Sequence, residues 1–499
     1  MNAIARSRTA RAAMRHVLGA ALGASALCGP SADATDEVSL TPAKATALEW
    51  IEHNRSGIVD VNQAIWGYAE LGLQETRSAR TLMDWLESND FTIEEGVAGM
   101  PTAFVANYGS GQPIIGLLAE YDALPDLSQV AEPHREPRIV DGAGHGCGHS
   151  LYGAGSTAAA IAIRQAMAAH DLPGTVRLYG TPAEETVIGK IYMVKAGFFD
   201  DVDAVLRWHP MDVTEAMYTT SLAMASVKFD FAGVSAHAAA APERGRSALD
   251  AVELMNVGAN YLREHVKDDA RIHYVITEGG GQPNVVPARA QVWYYIRAYV
   301  HADVAAYYGR LLDIARGAAM MTRTDVSVHI DSDTHELIPN RPLAELVDAN
   351  LRLIGGPDFS STEETFARML QEGFARESNI EFDRPVLEEI RPLPQEPART
   401  SASTDVGDLS WKVPTGGLTV ASYPAGIPIH SWPVVAASGA PMGHRAMLVA
   451  AKTLAASGID LLTRPATLEA ARADLRARTA GAEFRSLLPA EQTAPESIR

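Results

Sequence analysis

The chain has 499 residues, 47 % of them hydrophobic, and a formal net charge of -19 at pH 7. That length is enough for two or more domains with a sizeable core. The acidic balance argues against a nucleic-acid partner, which calls for a basic face.

Arg6, Arg8, Arg11 and Arg15 form a basic start, followed by a short apolar run from Val17 to Cys28 and the small-x-small triplet Ala32-Asp33-Ala34. This is the pattern of a signal peptide over residues 1–34, and export to a bacterial periplasm is expected. The apolar run is shorter than the ~20 residues a membrane span requires. Leu27 is too large for a lipoprotein signal at Cys28, and a mitochondrial-type presequence is the other option. Further on, Thr41 to His53 and Ser78 to Asn89 have helical spacing. Pro113 to Ala119, Thr175 to Gly180 and Ala204 to Trp208 are short apolar runs of buried-strand type. Ser150 to His170 is an Ala- and Ile-rich helix, for which Ser150 is the expected cap. Each of the three strands runs into a polar cluster: Glu120 to Asp122, Glu184-Glu185, and His209. The expected fold is α/β, a mostly parallel sheet flanked by helices, with ligand groups gathered at the carboxyl ends of the strands.

From Ser221 the texture changes. Met224 to Phe231, Ile272 to Ile276 and Ala290 to Arg297 have strand character around a helix over Ser247 to Val266, so a smaller α+β domain is expected to be inserted, ending near Glu336. Helices and two late apolar stretches follow, Gly417 to Ser422 and Met442 to Ala456. No segment after the signal peptide reads as a membrane span. The last 35 or so residues have the composition of a surface helix and a loose tail.

The most informative stretch is Gly144-His145-Gly146-Cys147-Gly148-His149. The chain has two cysteines, and Cys28 lies in the expected signal peptide, so the exported protein keeps one thiol and can form no internal disulfide. A free thiol in an oxidising compartment is exposed to oxidation unless it is buried or metal-bound. Glycines on both sides allow a tight turn, and thiolate with imidazole suits zinc and its neighbours.

Taken together, Leu117 to Pro125, Gly144 to His149, Gly180 to Glu185, Trp208-His-Pro210, Gly233 to His237, Gly281 to Asn284 and Gly426 to His430 occur in an order that resembles the dinuclear metallohydrolases of the aminoacylase and carboxypeptidase family. The amidohydrolase branch, which holds p-aminobenzoyl-glutamate hydrolases and indole-acetyl-amino-acid hydrolases, is the most similar. The resemblance implies two divalent metal ions per subunit, zinc or manganese, held by Cys147, His149, Glu185, His209 and His430. It implies Asp122 as a support for the ligands and Glu184 as general base, with Glu120 standing where other branches place a ligand histidine. It implies that His237 stabilises the oxyanion in the partner subunit's site, and that Asn284 and Arg297 bind substrate. His145 and His444 receive no metal role, and Ser150 stands where the family has Asp or Asn. The implied substrate is a small N-acyl or N-aroyl amino acid, or a dipeptide, and the implied assembly is a homodimer. The expected order is a signal peptide over 1–34, catalytic domain over 35–220 and 337–475, a lid and dimerisation domain over 221–336, and a flexible tail over 476–499. Two other readings stand beside this one: a cysteine hydrolase with Cys147 as nucleophile, and a non-catalytic metal- or peptide-binding protein.

Overall fold

The computed structural model describes residues 38–496, so the signal-peptide reading lies outside the described residues. Two sheets organise the chain. The larger has seven strands in the order Thr92–Glu95, Phe104–Ser110, Gly174–Gly180, Ile114–Ala119, Ala204–Met211, Thr415–Ala421 and Glu215–Ala216. Its four central strands run parallel. The strands outside them pair antiparallel. Every residue of Ile114–Ala119 and Thr415–Ala421 is buried, as expected of strands covered on both faces.

Three helices pack together beside this sheet: Pro42–His53, His149–His170 and Pro441–Thr463. The first starts where Thr41 accepts from the Lys44 amide, with Pro42 in the first turn. Pro441–Thr463 is long and apolar enough to cross a membrane, but 83 % of its most apolar window is buried inside the protein. It serves as a core helix.

The second sheet is antiparallel, in the order Asp325–Thr334, Ala223–Ala232, Arg289–Ala298 and Arg271–Glu278. The helices Ala248–Leu262 and His301–Thr322 pack on it. The alternation in Arg289–Ala298 assigns the faces. Val292, Tyr294 and Ile296 are fully buried in the core, while Trp293, Tyr295 and Arg297 on the other face are only partly covered.

Two sequence expectations need correction. Ser150 does not cap its helix. The helix starts one residue earlier, at His149, after Gly148 in the left-handed region (φ 77°). Ser150 Oγ is buried without a hydrogen-bond partner. A side chain at Gly148 would meet Pro210 at 2.9 Å, so both backbone conformation and close approach demand glycine there. Nor is the stretch after residue 476 loose throughout. The helix Pro465–Thr479 fills its start, and the segment beyond is a docked strap. Leu488 is buried, the Leu487 amide and Ser486 hydroxyl donate to Asp333, and Lys195 donates to the Pro489 carbonyl at 2.7 Å. Gln492 donates to Tyr192 Oη and the Ile330 carbonyl. Polar composition hid these contacts because the partners are mostly backbone groups and one buried carboxylate.

Candidate metal centre and catalytic site

The carboxyl ends of the central strands place Asp122, Glu184, Glu185 and His209 around the glycine-rich turn. Close packing shapes that turn: a side chain at Gly144 would come within 2.2 Å of the Leu127 carbonyl. The turn delivers Cys147 and His149, and the His430 amide closes onto the Gly146 carbonyl at 2.8 Å. His430 is itself left-handed (φ 61°), a costly conformation for a side chain of that size.

Two donor triads result, Cys147–His149–His209 and Cys147–Glu185–His430, and in each the ligand atoms lie within 4.8 Å of one another. Cys147 belongs to both. A third triad, Glu120–His149–Glu184, adjoins them. The imidazole tautomers suit cation binding. His149 Nδ1 sits 2.8 Å from Asp122 Oδ1, and His209 Nδ1 lies 2.8 Å from the Pro210 carbonyl. With the proton on Nδ1 in each, both Nε2 lone pairs face the cluster. His209 Nε2 is 3.4 Å from Cys147 Sγ, and His430 Nε2 is 3.2 Å from Glu185 Oε2. His149 Nε2, Glu120 Oε2 and Glu185 Oε1 are buried with no hydrogen-bond partner. Orphaned buried acceptors are expensive, and here they converge. The donor set therefore fits divalent cations, with Cys147, His149, Glu185, His209 and His430 able to hold them.

Electrostatics follow from this crowding. Burial pushes the Cys147 thiol up, but His209 and His149 outweigh it and bring it well below the usual thiol range. Burial also works against charge on His149, and Asp122 and Cys147 overcome it, holding the imidazole well above its ordinary value. Glu184 is pushed well up by burial and by the nearby Glu120 and Asp405. Burial, then the Cys147 thiolate, lifts Glu185 to about 7.

The adjacent glutamates sit on a strained turn. Ala183 (φ 56°) and Val187 (φ 58°) flank it, both left-handed and neither glycine. Two buried carboxylates hold the turn in place. Glu75 accepts the Ala183 amide at 2.8 Å, and Asp122 Oδ2 accepts the Glu185 amide at 2.9 Å. Thr404 Oγ1 donates to Glu184 Oε1 at 2.9 Å. Below lies a fully buried ion cluster, Lys190 Nζ with Glu120 at 2.8 Å and Asp405 at 2.7 Å. Sequence reasoning missed Glu75, Lys190, Thr404 and Asp405. A lysine within the apolar run Val187 to Val194 was the one available signal.

Of the residues named from sequence, the structure brings together Asp122, Cys147, His149, Glu184, Glu185, His209 and His430. Arg297 comes near through its neighbours: its Nη1 donates to Ser403 Oγ at 3.3 Å, and the next residue is Thr404. His237 and Asn284 stand apart, exposed on loops of the second sheet and joined to each other, with the Ala238 amide donating to the Asn284 carbonyl. His237 Nδ1 accepts two amides, from Ala239 and Ala240, at 3.2 Å each. That leaves its Nε2–H pointing outward as a donor.

Thiolate, imidazole and carboxylate donors at the carboxyl rim of a parallel sheet, with a glutamate beside them, define a metallohydrolase type of centre. The sequence profile of Peptidase family M20/M25/M40 matches residues 116–423, more than half of the chain, and the chain belongs to that family. It is a hydrolase. It is 40 % identical over 433 residues to a p-aminobenzoyl-glutamate hydrolase chain of Escherichia coli (strain K12), covering 82 % of this chain and 90 % of the relative. It is 29 % identical to Xaa-Arg dipeptidase of Mus musculus, covering 87 % of this chain and 92 % of that one. The fold matches that of a dinuclear metal binding peptidase from Bacillus subtilis with a TM-score of 0.53 at 16 % identity, over 83 % of this chain and 99 % of the other.

Proposed function

We propose that the protein is an amidohydrolase that binds two divalent cations, zinc or manganese, and cleaves N-acyl or N-aroyl amino acids or dipeptides. The observation that carries this reading is the pair of donor triads sharing Cys147, with Glu184 beside them. The relatives named above support the substrate class. The bound cations supply an acidified water and a polarised scissile carbonyl. Glu184 takes the water's proton and returns it to the leaving amine. Thr404 and the clamped turn hold Glu184 at one orientation, and its raised proton affinity suits a group that must both accept and donate. Glu185 stays a ligand, so the pair divides the work.

His237 stabilises the oxyanion from a partner copy of the chain, and Arg297 and Asn284 hold the substrate. The support is negative within one chain and positive on the surface. His237 reaches no member of the cluster, yet the Arg271–Glu278 edge strand of the second sheet exposes Tyr274, Val275 and Ile276, as an unpaired edge awaiting a second copy would. Mixing His237→Ala with Glu184→Gln subunits should restore up to about a quarter of wild-type activity after random exchange. No recovery despite proven exchange places His237 in its own chain's service or in none. Export follows from the arginine-rich start, and N-terminal sequencing of secreted protein tests it.

A second reading has one observation in its favour. Cys147 and His209 are spaced like a thiolate–imidazole pair, as a cysteine nucleophile requires. It leaves Glu184, Glu185 and His430 without a task. A screen of N-acyl amino acids and dipeptides with added zinc, manganese or cobalt, repeated after EDTA, separates the two. Activity that survives complete removal of metal supports the cysteine mechanism.

A further inference from the structure

The C-terminal strap is tied to the same elements that hold Glu184. It crosses the end of Asp325–Thr334, the strand by which the chain leaves the inserted sheet. Asp333 at that end is fully buried. Its Oδ1 lies 2.8 Å from His301 Nε2, while its Oδ2 accepts the Leu487 amide at 2.6 Å and the Ser486 hydroxyl at 3.1 Å. Among the described residues, the strap supplies both donors to Oδ2. A buried carboxylate is expensive unless its partners stay in place. Half the partners of this core charge have thus been given to a terminal loop. Phe484 is a second anchor: its ring stacks on His335 at 4.4 Å and carries the Lys412 ammonium at 4.7 Å. Gln492 is a third, donating to Tyr192 Oη at 2.8 Å and to the Ile330 carbonyl at 2.6 Å.

From these anchors, two short routes lead to Glu184. Thr334, next to Asp333, donates to the Thr404 carbonyl at 3.1 Å, and the Thr404 hydroxyl donates to Glu184. Tyr192 and Lys195, which hold the strap, share the helix Gly189–Lys195 with Lys190 of the buried ion cluster. The helix Val406–Lys412 follows Asp405 of that cluster and carries Asp408, which accepts the His335 amide, and Lys412. No strap residue belongs to a donor triad, so its influence on the centre passes through these supports. The strap forms neither helix nor strand, and several of its bonds are part exposed. Segments of this kind open locally without the rest of the fold.

We propose that the strap over 482–496 is a positioning element for the general base. Docked, it locks the exit strand of the inserted sheet onto the two helices beside the Glu184 turn and keeps the carboxylate in one orientation. Released, it leaves Asp333 half satisfied and loosens both routes, so turnover falls while the metal centre and the fold persist. This rests on the amidohydrolase reading and adds the device that holds its base.

The test keeps the full chain. Leu487→Pro removes the amide that Asp333 accepts, and Gln492→Ala removes the bonds to Tyr192 and Ile330. Leu487→Val keeps the amide and is the conservative control. In the first two variants, kcat on an N-acyl amino acid should fall about tenfold with KM little changed, a loss in the range expected for a misplaced catalytic group. Metal content and melting temperature should stay near wild type, and Leu487→Val should behave as wild type. Hydrogen exchange should quicken in Gly189–Lys195, Val406–Lys412 and Asp325–Thr334 but not in Ile114–Ala119. Wild-type kcat or wild-type exchange in both Leu487→Pro and Gln492→Ala overturns the proposal. So does faster exchange throughout both sheets, which is general destabilisation. If the wild type cleaves no amide offered, the amidohydrolase reading fails, and the exchange pattern alone decides whether the strap locks these helices.

Discussion

The two sheets treat charge in opposite ways. At the rim of the seven-stranded sheet, the buried ionisable groups are oriented by other parts of the chain. Asp122 fixes His149 and the Glu185 amide, Glu75 fixes Ala183, and Lys190 lies between Glu120 and Asp405. On the open face of the four-stranded sheet, Arg271 and Arg297 face each other without an acid partner among the described residues, and His237 points its donor away from its own chain. At the rim only the atoms that face the cation site, among them His149 Nε2, Glu120 Oε2 and Glu185 Oε1, are left without a hydrogen-bond partner. The open face is arranged for something from outside, a substrate or a second copy. Geometry that must be accurate to a fraction of an ångström is built from buried, mutually satisfied groups, and contact with other molecules is left to exposed, unsatisfied ones.

The comparison can be broken most severely at Glu184. Glu184→Gln should lower kcat about a thousandfold, within the usual range for a general base, while elemental analysis finds the metal content of wild type. Loss of metal instead would make Glu184 a ligand and Glu185 the base. Next in size is the ion cluster below. Lys190→Met should cost about 3–5 kcal/mol in a denaturant titration, because two carboxylates remain buried beside no cation. A cost under ~1 kcal/mol would mean that the rim is not held by its charges.

A half-buried histidine without a carboxylate clamp gives the third test. His444 Nε2 accepts from Gln63 at 3.0 Å, and burial lowers its proton affinity to about 4. The folded value lies below the unfolded ~6.5, so this contribution is intact above pH 6.5 and is lost as pH falls towards 4. The loss should be on the order of 3 kcal/mol. His444→Gln should flatten the acid side of the stability profile between those limits, and an unchanged profile would exclude His444 as its source. The smallest effect belongs to the open face. Arg271→Gln should change stability by no more than about 0.5 kcal/mol. A marked gain would show that relief of the Arg271–Arg297 repulsion had been underestimated.

What the sequence revealed tracks this same division. The strands Ile114–Ala119 and Thr415–Ala421 were legible because full burial demands an apolar run, and Cys147 because a lone thiol among glycines and histidines has few other uses. Glu184 and Glu185 were placed by motif order, since adjacent acids on their own carry no address. Glu75 and Asp405 were not legible. Their partners at the site, Ala183 and Lys190, lie more than a hundred residues away, and nothing local distinguishes a buried carboxylate from a surface one. Ser150 misled because a good capping residue stood one position inside a helix whose start was set by the glycine turn. The strap misled because backbone acceptors leave no trace in composition.

The interleaving of the two sheets also fixes an order of assembly. All four strands of the inserted sheet are in hand once residue 334 has been made, and its most distant pairing, Thr334 with Met224, joins residues nearer in the chain than Thr415 with Val205 in the larger sheet. The larger sheet begins near residue 92 but lacks Thr415–Ala421 until late, and the helix at its core, Pro441–Thr463, comes later still. Local pairings form faster than distant ones. During refolding, the amides of Ala223–Ala232 should therefore resist hydrogen exchange before those of Ala204–Met211. The rim, for all its buried charge, is completed only after the inserted sheet.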